Sequence, residues 1–322
     1  MAGVHVAVLG SGAWGTAVAG LLAANASSVG LWCRRPELAE RIRVSGRNEQ
    51  YLPGIDLPAR VHAGSRVEDV VEGAELVVLA VPLQRLRSLL LRWREVLPAV
   101  PVVNLAKGVE TSTGLFGSEV VADVLDGRPV LALSGPNLAL EIARGQPAAT
   151  VVACVDAEVA GRVATWCSTP DFHAHPLTDV VGVDVAGAVK NVVALAVGMV
   201  EGAGLGANAR AAVTTLGLTE TAELGRRLGA RLETFLGLAG AGDLVATSTS
   251  TLSRNHRVGV ALGEGLPLAE ALVRAGGTAE GVATAPALLR RDPDLPFVRD
   301  VVAVLDGQRS PVEAVTRLLT VA

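Results

Sequence analysis

Residues 4–9 (VHVAVL) form a short apolar, β-rich run that stops at Gly10-Ser11-Gly12-Ala13-Trp14-Gly15, and helix formers from Thr16 to Ala24 follow at once. A strand that must turn directly into a helix leaves few folds open. The glycines permit a tight turn, a close approach of backbone to pyrophosphate, and close helix–strand packing, with the phosphates at the helix N-terminus. The glycine spacing alone is weak evidence; placed between strand and helix it predicts a dinucleotide-binding α/β unit. Gly10, Gly12, Ala13, Trp14 and Gly15 are the candidate cofactor contacts of that turn.

The second strand is expected at residues 29–33. An NAD site usually offers an acid to the ribose just beyond this strand. Here the chain reads Arg34-Arg35-Pro36, with no acid before Glu37. Paired arginines favour a 2′-phosphate, so Arg34 and Arg35 point to NADP ahead of NAD as cofactor. The competing view is two solvated arginines opening a surface helix.

Alternation of strand-like and helix-like runs continues. Residues 76–81 (LVVLAV) and 100–105 (VPVVNL) read as buried parallel strands, with an arginine-rich helix at 83–96 between them. Residues 130–133 and 148–153 extend the sheet, and strand ends fall at Val81-Pro82, Ala106-Lys107-Gly108 and Ser134-Gly135-Pro136-Asn137. Open α/β sheets bind ligands at the carboxyl ends of their strands, which is where Lys107 falls. After residues 172–175 the pattern turns helical, with runs at 180–202, 209–229, 232–236, 253–263, 268–275, 283–290, 296–305 and 311–320. The expected division is an α/β domain with a mostly parallel sheet over residues 1–178 and an all-α domain over 179–322. The helix bearing Lys190 is expected to face the sheet domain across a cleft.

Positive charge comes almost wholly from arginine: 26 Arg stand against two lysines, Lys107 and Lys190. Arginine stays protonated at physiological pH, whereas a lysine can be desolvated into a titrating acid or base. Residues 185–200 are small or apolar except Lys190 and Asn191. A charge centred there is costly unless it is used. Hydride transfer with a nicotinamide needs a proton donor and acceptor, and Lys190 is the candidate, its pKa lowered by apolar surroundings and by any second ammonium. Asp243, in Gly240-Ala241-Gly242-Asp243-Leu244, could hold Lys190 or a substrate hydroxyl, or simply cap a helix. Ser253-Arg254-Asn255-His256-Arg257 mixes hydroxyl, guanidinium and amide donors suited to a phosphate monoester, with Arg254 able to bind bidentately; a solvated helix start is the alternative.

Several function classes are disfavoured. A net charge of −4 and 3% aromatic residues leave no basic footprint or stacking platform for nucleic acid. The N-terminus lacks a basic region before its apolar run, and no apolar run reaches the length of a membrane span, so neither a signal peptide nor membrane insertion is expected. Three cysteines, odd in number and far apart, read as reduced thiols in a cytoplasmic protein. The five histidines do not gather at metal spacings, so no metal site is expected. Esterase and kinase motifs are lacking.

The motifs, taken together, resemble the bacterial NAD(P)-dependent glycerol-3-phosphate dehydrogenase family over nearly the whole chain. They are GSGAWGTA at 10–17, LWCRRP at 31–36, NLAKGVE at 104–110, LSGPNLALEIARGQPAA at 133–149, DVAGAVKNVVALAVGM at 184–199, GLGANARAA at 204–212, GLAGAGDLVAT at 237–247, LSRNHRVG at 252–259 and AEG at 279–281. The resemblance implies an N-terminal Rossmann domain, a helical C-terminal domain and a homodimer. It implies interconversion of dihydroxyacetone phosphate and sn-glycerol 3-phosphate with NAD(P)H, supplying phospholipid synthesis. By the same resemblance Lys190 is the proton acceptor or donor, and Lys107 touches cofactor and substrate. Gly135, Asn137, Asp243, Ser253, Arg254 and Asn255 are implied substrate contacts. Trp14, Arg34, Ala139, Arg254, Thr278 and Glu280 are implied cofactor contacts. The chain departs from the family pattern at Ala13 (usually Ser), at Asn137, in lacking a lysine soon after Gly281, and in a shorter segment before Pro296. A related β-hydroxyacid or sugar-acid dehydrogenase would instead need a carboxylate site, and a catalytically idle NAD(P) sensor would need no proton relay.

Overall fold

The computed structural model describes residues 3–321 and divides into two compact units, Met1–Ala106 with Gly117–Val180, and Lys107–Phe116 with Val181–Ala322. The first is an α/β unit. Its strands are β1 (His5–Leu9), β2 (Ser28–Trp32), β3 (Val61–Gly64), β4 (Leu76–Leu79), β5 (Val102–Asn104), β6 (Val130–Ser134), β7 (Ala148–Ala153) and β8 (Phe172–Leu177). They form one sheet in the order β3-β2-β1-β4-β5-β6-β7-β8. All neighbours are parallel except β6 and β7, so the last two strands run against the rest. The helices between them are α1 (Ala13–Leu22), α2 (Pro36–Ser45), α3 (Val67–Val71), α4 (Leu83–Trp93), α5 (Gly117–Val124), α6 (Ala139–Ala143) and α7 (Ala157–Cys167). Past their first residues, His5 and Ser28, β1 and β2 are apolar and buried, as is all of β4, the pattern of parallel strands covered on both faces. Strand order reverses between β1 and β4, and that is where the glycine turn after β1 lies against the residue that follows β4.

The pattern reading finds every strand except β3, whose four residues (VHAG) are too short and mixed to show a period. It also leaves strand direction open, because β7 has the apolar run of its parallel neighbours. A domain boundary at residue 178 counts residues 107–116 with the sheet, whereas they cluster with the helices. Val109 and Phe116 are apolar and are fully buried in the helical core.

The helical unit contains α8 (Val180–Gly202), α9 (Ala207–Arg227), α10 (Leu232–Leu236), a π-turn at Leu238–Gly242, α11 (Asp243–Thr249), α12 (Arg254–Gly263), α13 (Leu268–Arg274), α14 (Glu280–Arg291), α15 (Pro296–Leu305) and α16 (Pro311–Val321). α8 is its core. At 23 residues α8 is long and apolar enough to cross a membrane, which corrects the expectation that no run reaches that length, yet 83% of its apolar window is buried inside the protein. Its neighbour α12 lies almost backbone to backbone on it. A Cβ at Gly198 would sit 2.2 Å from the His256 carbonyl oxygen, and one at Gly259 would sit 2.1 Å from that of Leu195. Gly202 and Gly263 repeat the arrangement one turn on, against Val260 and Met199. Elsewhere, Glu220 on α9 accepts from Phe297 N (2.7 Å) and Val298 N (3.0 Å), satisfying the free N–H groups at the start of α15.

The glycine contact gives a direct test. Gly259→Ala is expected to lower stability by about 1–3 kcal/mol, because the added methyl meets backbone that cannot move aside. Gly161→Ala on α7, where a Cβ meets nothing within 4 Å, should be neutral or raise stability by up to about 1 kcal/mol. Urea unfolding of both variants decides the point; equal midpoints would contradict the close packing.

Candidate active site

The glycine turn is built for a ligand. Gly10 has φ +131°, and a Cβ there would lie 2.3 Å from the Ala80 carbonyl oxygen. A Cβ at Gly15 would lie 2.0 Å from the Gly10 carbonyl oxygen. Only glycine fits at either position. A Cβ at Gly12, by contrast, would meet nothing within 4 Å, and no side chain caps the α1 N-terminus. Open space above uncapped N–H groups is what a pyrophosphate requires, so the residues fit a dinucleotide. The buried Trp14 Nε1 makes no hydrogen bond among the described residues. Sequence reasoning missed the brace beneath the turn: Asn48 Nδ2 donates to Ser11 O (2.9 Å) and to Thr16 Oγ1 (2.7 Å), while Thr16 Oγ1 donates to Ser11 O (3.3 Å). Asn48 arrives from the loop after α2, and no local pattern marks it.

The arginine pair is split. Arg35 donates to Gln50 Oε1 (2.5 Å) and Tyr51 Oη (3.4 Å) and stands at the N-cap of α2, while Arg34 is exposed. At the end of β6, a Cβ on Gly135 would come within 2.9 Å of Thr150 Oγ1. Asn137 Nδ2 donates to that hydroxyl (3.0 Å), which donates in turn to Ser134 O (3.1 Å). Asn137 Oδ1 is buried and makes no hydrogen bond among the described residues. Ala139 follows as the first residue of α6.

In the helical unit, Asp243 is the centre. Its Oδ1 accepts from Lys190 Nζ (2.6 Å) and its Oδ2 from Lys107 Nζ (2.5 Å). Both lysines of the chain therefore meet on one carboxylate. Asp243 is only 1% exposed and Lys190 9%. Asp243 does not act as an N-cap: Gly242 holds that place before α11, and the Asp243 carboxylate is spent on the two ammoniums. Thr247, one turn along α11, completes the group. Its Oγ1 accepts from Lys190 Nζ (2.8 Å) and donates to Asp243 Oδ1 (3.2 Å). The sequence reading stopped at the small-residue turn and so missed Thr247, which the i, i+4 spacing of a helix starting at Asp243 would have flagged.

Burial pushes the Lys190 ammonium down to about 8, helped by the Lys107 charge and opposed by Asp243. Burial pushes the Asp243 carboxyl up, but the two ammoniums outweigh it and hold the group below the ordinary carboxylate range. The site is thus a buried carboxylate between two lysines, one of which, Lys190, titrates at about 8.

Of the remaining residues, Asn255 is hydrogen-bonded next to Lys190. Asn255 Nδ2 donates to Asn191 Oδ1 (2.9 Å), and Asn255 Oδ1 accepts from Gly281 N (2.9 Å). It therefore ties α12 to α8 beside Lys190 and to the start of α14. A Cβ on Gly281 would lie 2.5 Å from the Asn191 carbonyl oxygen, so the chain needs glycine there. Ser253 caps α12, accepting from His256 N (3.3 Å). Arg254 and Thr278 are exposed. Glu280 opens α14; burial raises its pKa and the nearby Arg254 charge lowers it, with burial prevailing.

A pyrophosphate-fitting turn on a doubly wound sheet, and a lysine amine made titratable in a helical unit, define a nicotinamide-dependent dehydrogenase. Comparison with known proteins gives the particular kind. Residues 5–160 match the family described as NAD-dependent glycerol-3-phosphate dehydrogenase N-terminus, and residues 179–316 match its C-terminus. The chain belongs to the NAD-dependent glycerol-3-phosphate dehydrogenase family. It is 46% identical over 323 residues to the glycerol-3-phosphate dehydrogenase [NAD(P)+] of Thermobifida fusca, covering 98% of this chain and 96% of that one. With the Corynebacterium glutamicum protein of the same name the identity is 50% over 283 residues, 87% of this chain and 85% of that one. The crystal structure of glycerol-3-phosphate dehydrogenase from Coxiella burnetii superposes with a TM-score of 0.93 at 33% identity, covering 98% and 99% of the two chains.

Two lysines make the charge balance directly measurable. Protein labelled with 13Cε-lysine gives two side-chain resonances, and the Lys190 signal should titrate with a midpoint of about 8. In Asp243→Asn the counter-charge is gone while burial and the Lys107 charge remain, so that midpoint should fall. A midpoint that rises would mean the carboxylate does not hold the ammonium.

Proposed function

We propose that this chain reduces dihydroxyacetone phosphate to sn-glycerol 3-phosphate, and oxidises it in reverse, using NAD(P)H. The observation that carries the reading is Lys190, its pKa brought to about 8 on a carboxylate it shares with Lys107. When bound, the dinucleotide supplies or accepts the hydride. Lys190 does the proton work: the ammonium gives its proton to the carbonyl oxygen during reduction, and the amine takes it from the C2 hydroxyl during oxidation. Asp243 keeps both lysines placed, and Thr247 fixes the direction of the Lys190 Nζ. Lys107 adds positive charge where the carbonyl oxygen gains negative charge. Arg254, Ser253 and Asn255 take the phosphate ester, Asn255 with the Nδ2 hydrogen not given to Asn191. Gly135 and Asn137 complete the substrate loop. By the family resemblance, Ala139, Thr278 and Glu280 would be among the residues that hold the dinucleotide.

The sign of the pH dependence follows. Reduction needs the ammonium, so its rate should be highest below pH 8 and fall as pH rises through about 8. Oxidation needs the amine and should rise over the same interval. At neutral pH the protonated form dominates, which suits reduction.

In this reading residues 1–178 supply most of the dinucleotide contacts, and residues 179–322, with Lys107, Gly135 and Asn137, bind substrate and move the proton. A cytoplasmic homodimer feeding phospholipid synthesis rests on the family resemblance alone. We assign the cofactor preference to NADP, on Arg34, which stands exposed past β2 with no acid beside it before Glu37. Asp or Glu would be expected there for NAD.

The assay follows absorbance of NADPH and NADH with dihydroxyacetone phosphate. Turnover is expected with both and faster with NADPH; none with either at micromolar enzyme would overturn the reading. Lys190→Arg, which cannot titrate, should lose at least about 100-fold in kcat. Arg34→Ala should raise KM for NADPH about 10-fold, the worth of one charge-assisted contact, and leave that for NADH nearly unchanged. Equal effects on the two cofactors would remove the 2′-phosphate argument.

A further inference from the structure

Lys107 lies at the root of a ten-residue excursion, Lys107–Phe116, between β5 and α5. The excursion is closed as a small hairpin. Val109 and Phe116 pair as an antiparallel bridge, Glu110 N donates to Leu115 O (2.8 Å), and Gly114 N donates to Glu110 O (2.9 Å). Gly114 turns the tip with φ +77°, and the Thr113 hydroxyl donates to the Glu110 carboxylate. Val109 and Phe116 are sunk in the helical core, so the root of the hairpin is held by packing.

The tip is held by the last turn of α14. Arg291 Nη1 donates to Gly114 O (2.7 Å), and its guanidinium lies 4.4 Å from the centre of the Phe116 ring. Arg290 Nη2 donates to Thr111 O (3.0 Å). One planar fork thus binds the backbone of the tip and covers the ring at the root. Only arginine can lie flat on a ring while donating along its edge. Lys107 is two residues from Val109, so whatever fixes the hairpin fixes where the Lys107 stem begins.

We propose that Arg291 is a positioning residue that holds Lys107 on Asp243 by clamping the 107–116 hairpin. The proposal rests on the dehydrogenase reading for its catalytic meaning. Its physical content is narrower: the clamp sets how much of the Asp243 carboxylate is left to Lys190. The charged groups that face the Lys190 ammonium are Asp243 on α11 and Lys107 on the hairpin, with the Thr247 hydroxyl beside them. Loosening the hairpin removes a repelling cation and frees the anion, and both changes favour the protonated form of Lys190.

The test is Arg291→Ala in full-length protein labelled with 13Cε-lysine, with Arg291→Lys as the second variant should the first fail to fold. In either variant the Lys190 midpoint should move up from about 8, by about one pH unit for loss of a neighbouring ammonium. The pH profile of dihydroxyacetone phosphate reduction should move up with it. The limiting kcat should drop roughly 10- to 100-fold, the scale expected when a positioned group is misplaced. A folded variant with a lower melting temperature but an unmoved Lys190 midpoint would overturn the proposal, since a purely structural arginine predicts that result. Lack of turnover in the unmutated protein would count against the dehydrogenase reading instead, and the resonance titration would still decide the clamp.

Discussion

One carboxylate between two ammoniums is the constraint on which the functional reading depends. Asp243 alone beside Lys190 would hold the lysine protonated, as an ordinary buried ion pair does. Burial is the largest influence and lowers the ammonium, Asp243 opposes it, and Lys107 adds to the lowering, so the Lys190 amine settles at about 8. Measured from the ordinary value of 10.5, the ammonium is disfavoured by roughly 3 kcal/mol, small enough to reverse within the physiological range of pH. A proton donor that can also be the acceptor is what a reversible hydride transfer asks for. Replacing Lys190 by arginine would fix its charge and remove that adjustment.

The scaffold for this balance is unusually close helix packing. Lys190 and Asn191 sit in the middle of α8, and glycines at 198, 202, 259 and 263 let α12 rest on the α8 backbone. Gly281 brings the start of α14 down beside Asn191 in the same way. Asn255 then bridges the three helices with both ends of its amide. Small residues leave the helices no freedom to slide, so the ammonium is presented at one depth. The same α14 that begins against Asn191 ends in Arg290 and Arg291, which hold the hairpin of Lys107. One helix therefore has a hand in the placement of both lysines.

Much of this was legible in the residues. The strand, glycine turn and helix at residues 4–24 leave one local structure open, and the scarcity of lysine singled out the pair that meets on Asp243. What escaped was non-local or weakly patterned. β3 is four residues of mixed character, so it has no period to read. Residues 107–116 follow a strand in the chain yet pack with helices, because burial of Val109 and Phe116 is decided by partners distant in sequence. Asn48 braces the glycine turn from 32 residues beyond Thr16, and nothing near it announces that role. Thr247 was within reach: a helix start at Asp243 puts the Thr247 hydroxyl one turn along, at the i, i+4 position.

The arginine pair after β2 illustrates how a motif divides once it is folded. Two adjacent guanidiniums on an extended segment point to opposite sides, so they could not both have met one phosphate by spacing alone. Arg35 turns to Gln50 and Tyr51 at the start of α2, which satisfies the reading of a helix opening. Arg34, left exposed at the strand end, is the half that can recognise a ligand. The helix-opening reading therefore holds for Arg35, and the proposed 2′-phosphate contact narrows to Arg34. Backbone occupies the space of a Cβ at Gly10 and Gly15, so the turn tolerates no change there, whereas the proposed cofactor preference turns on one solvent-facing arginine that a point substitution can alter.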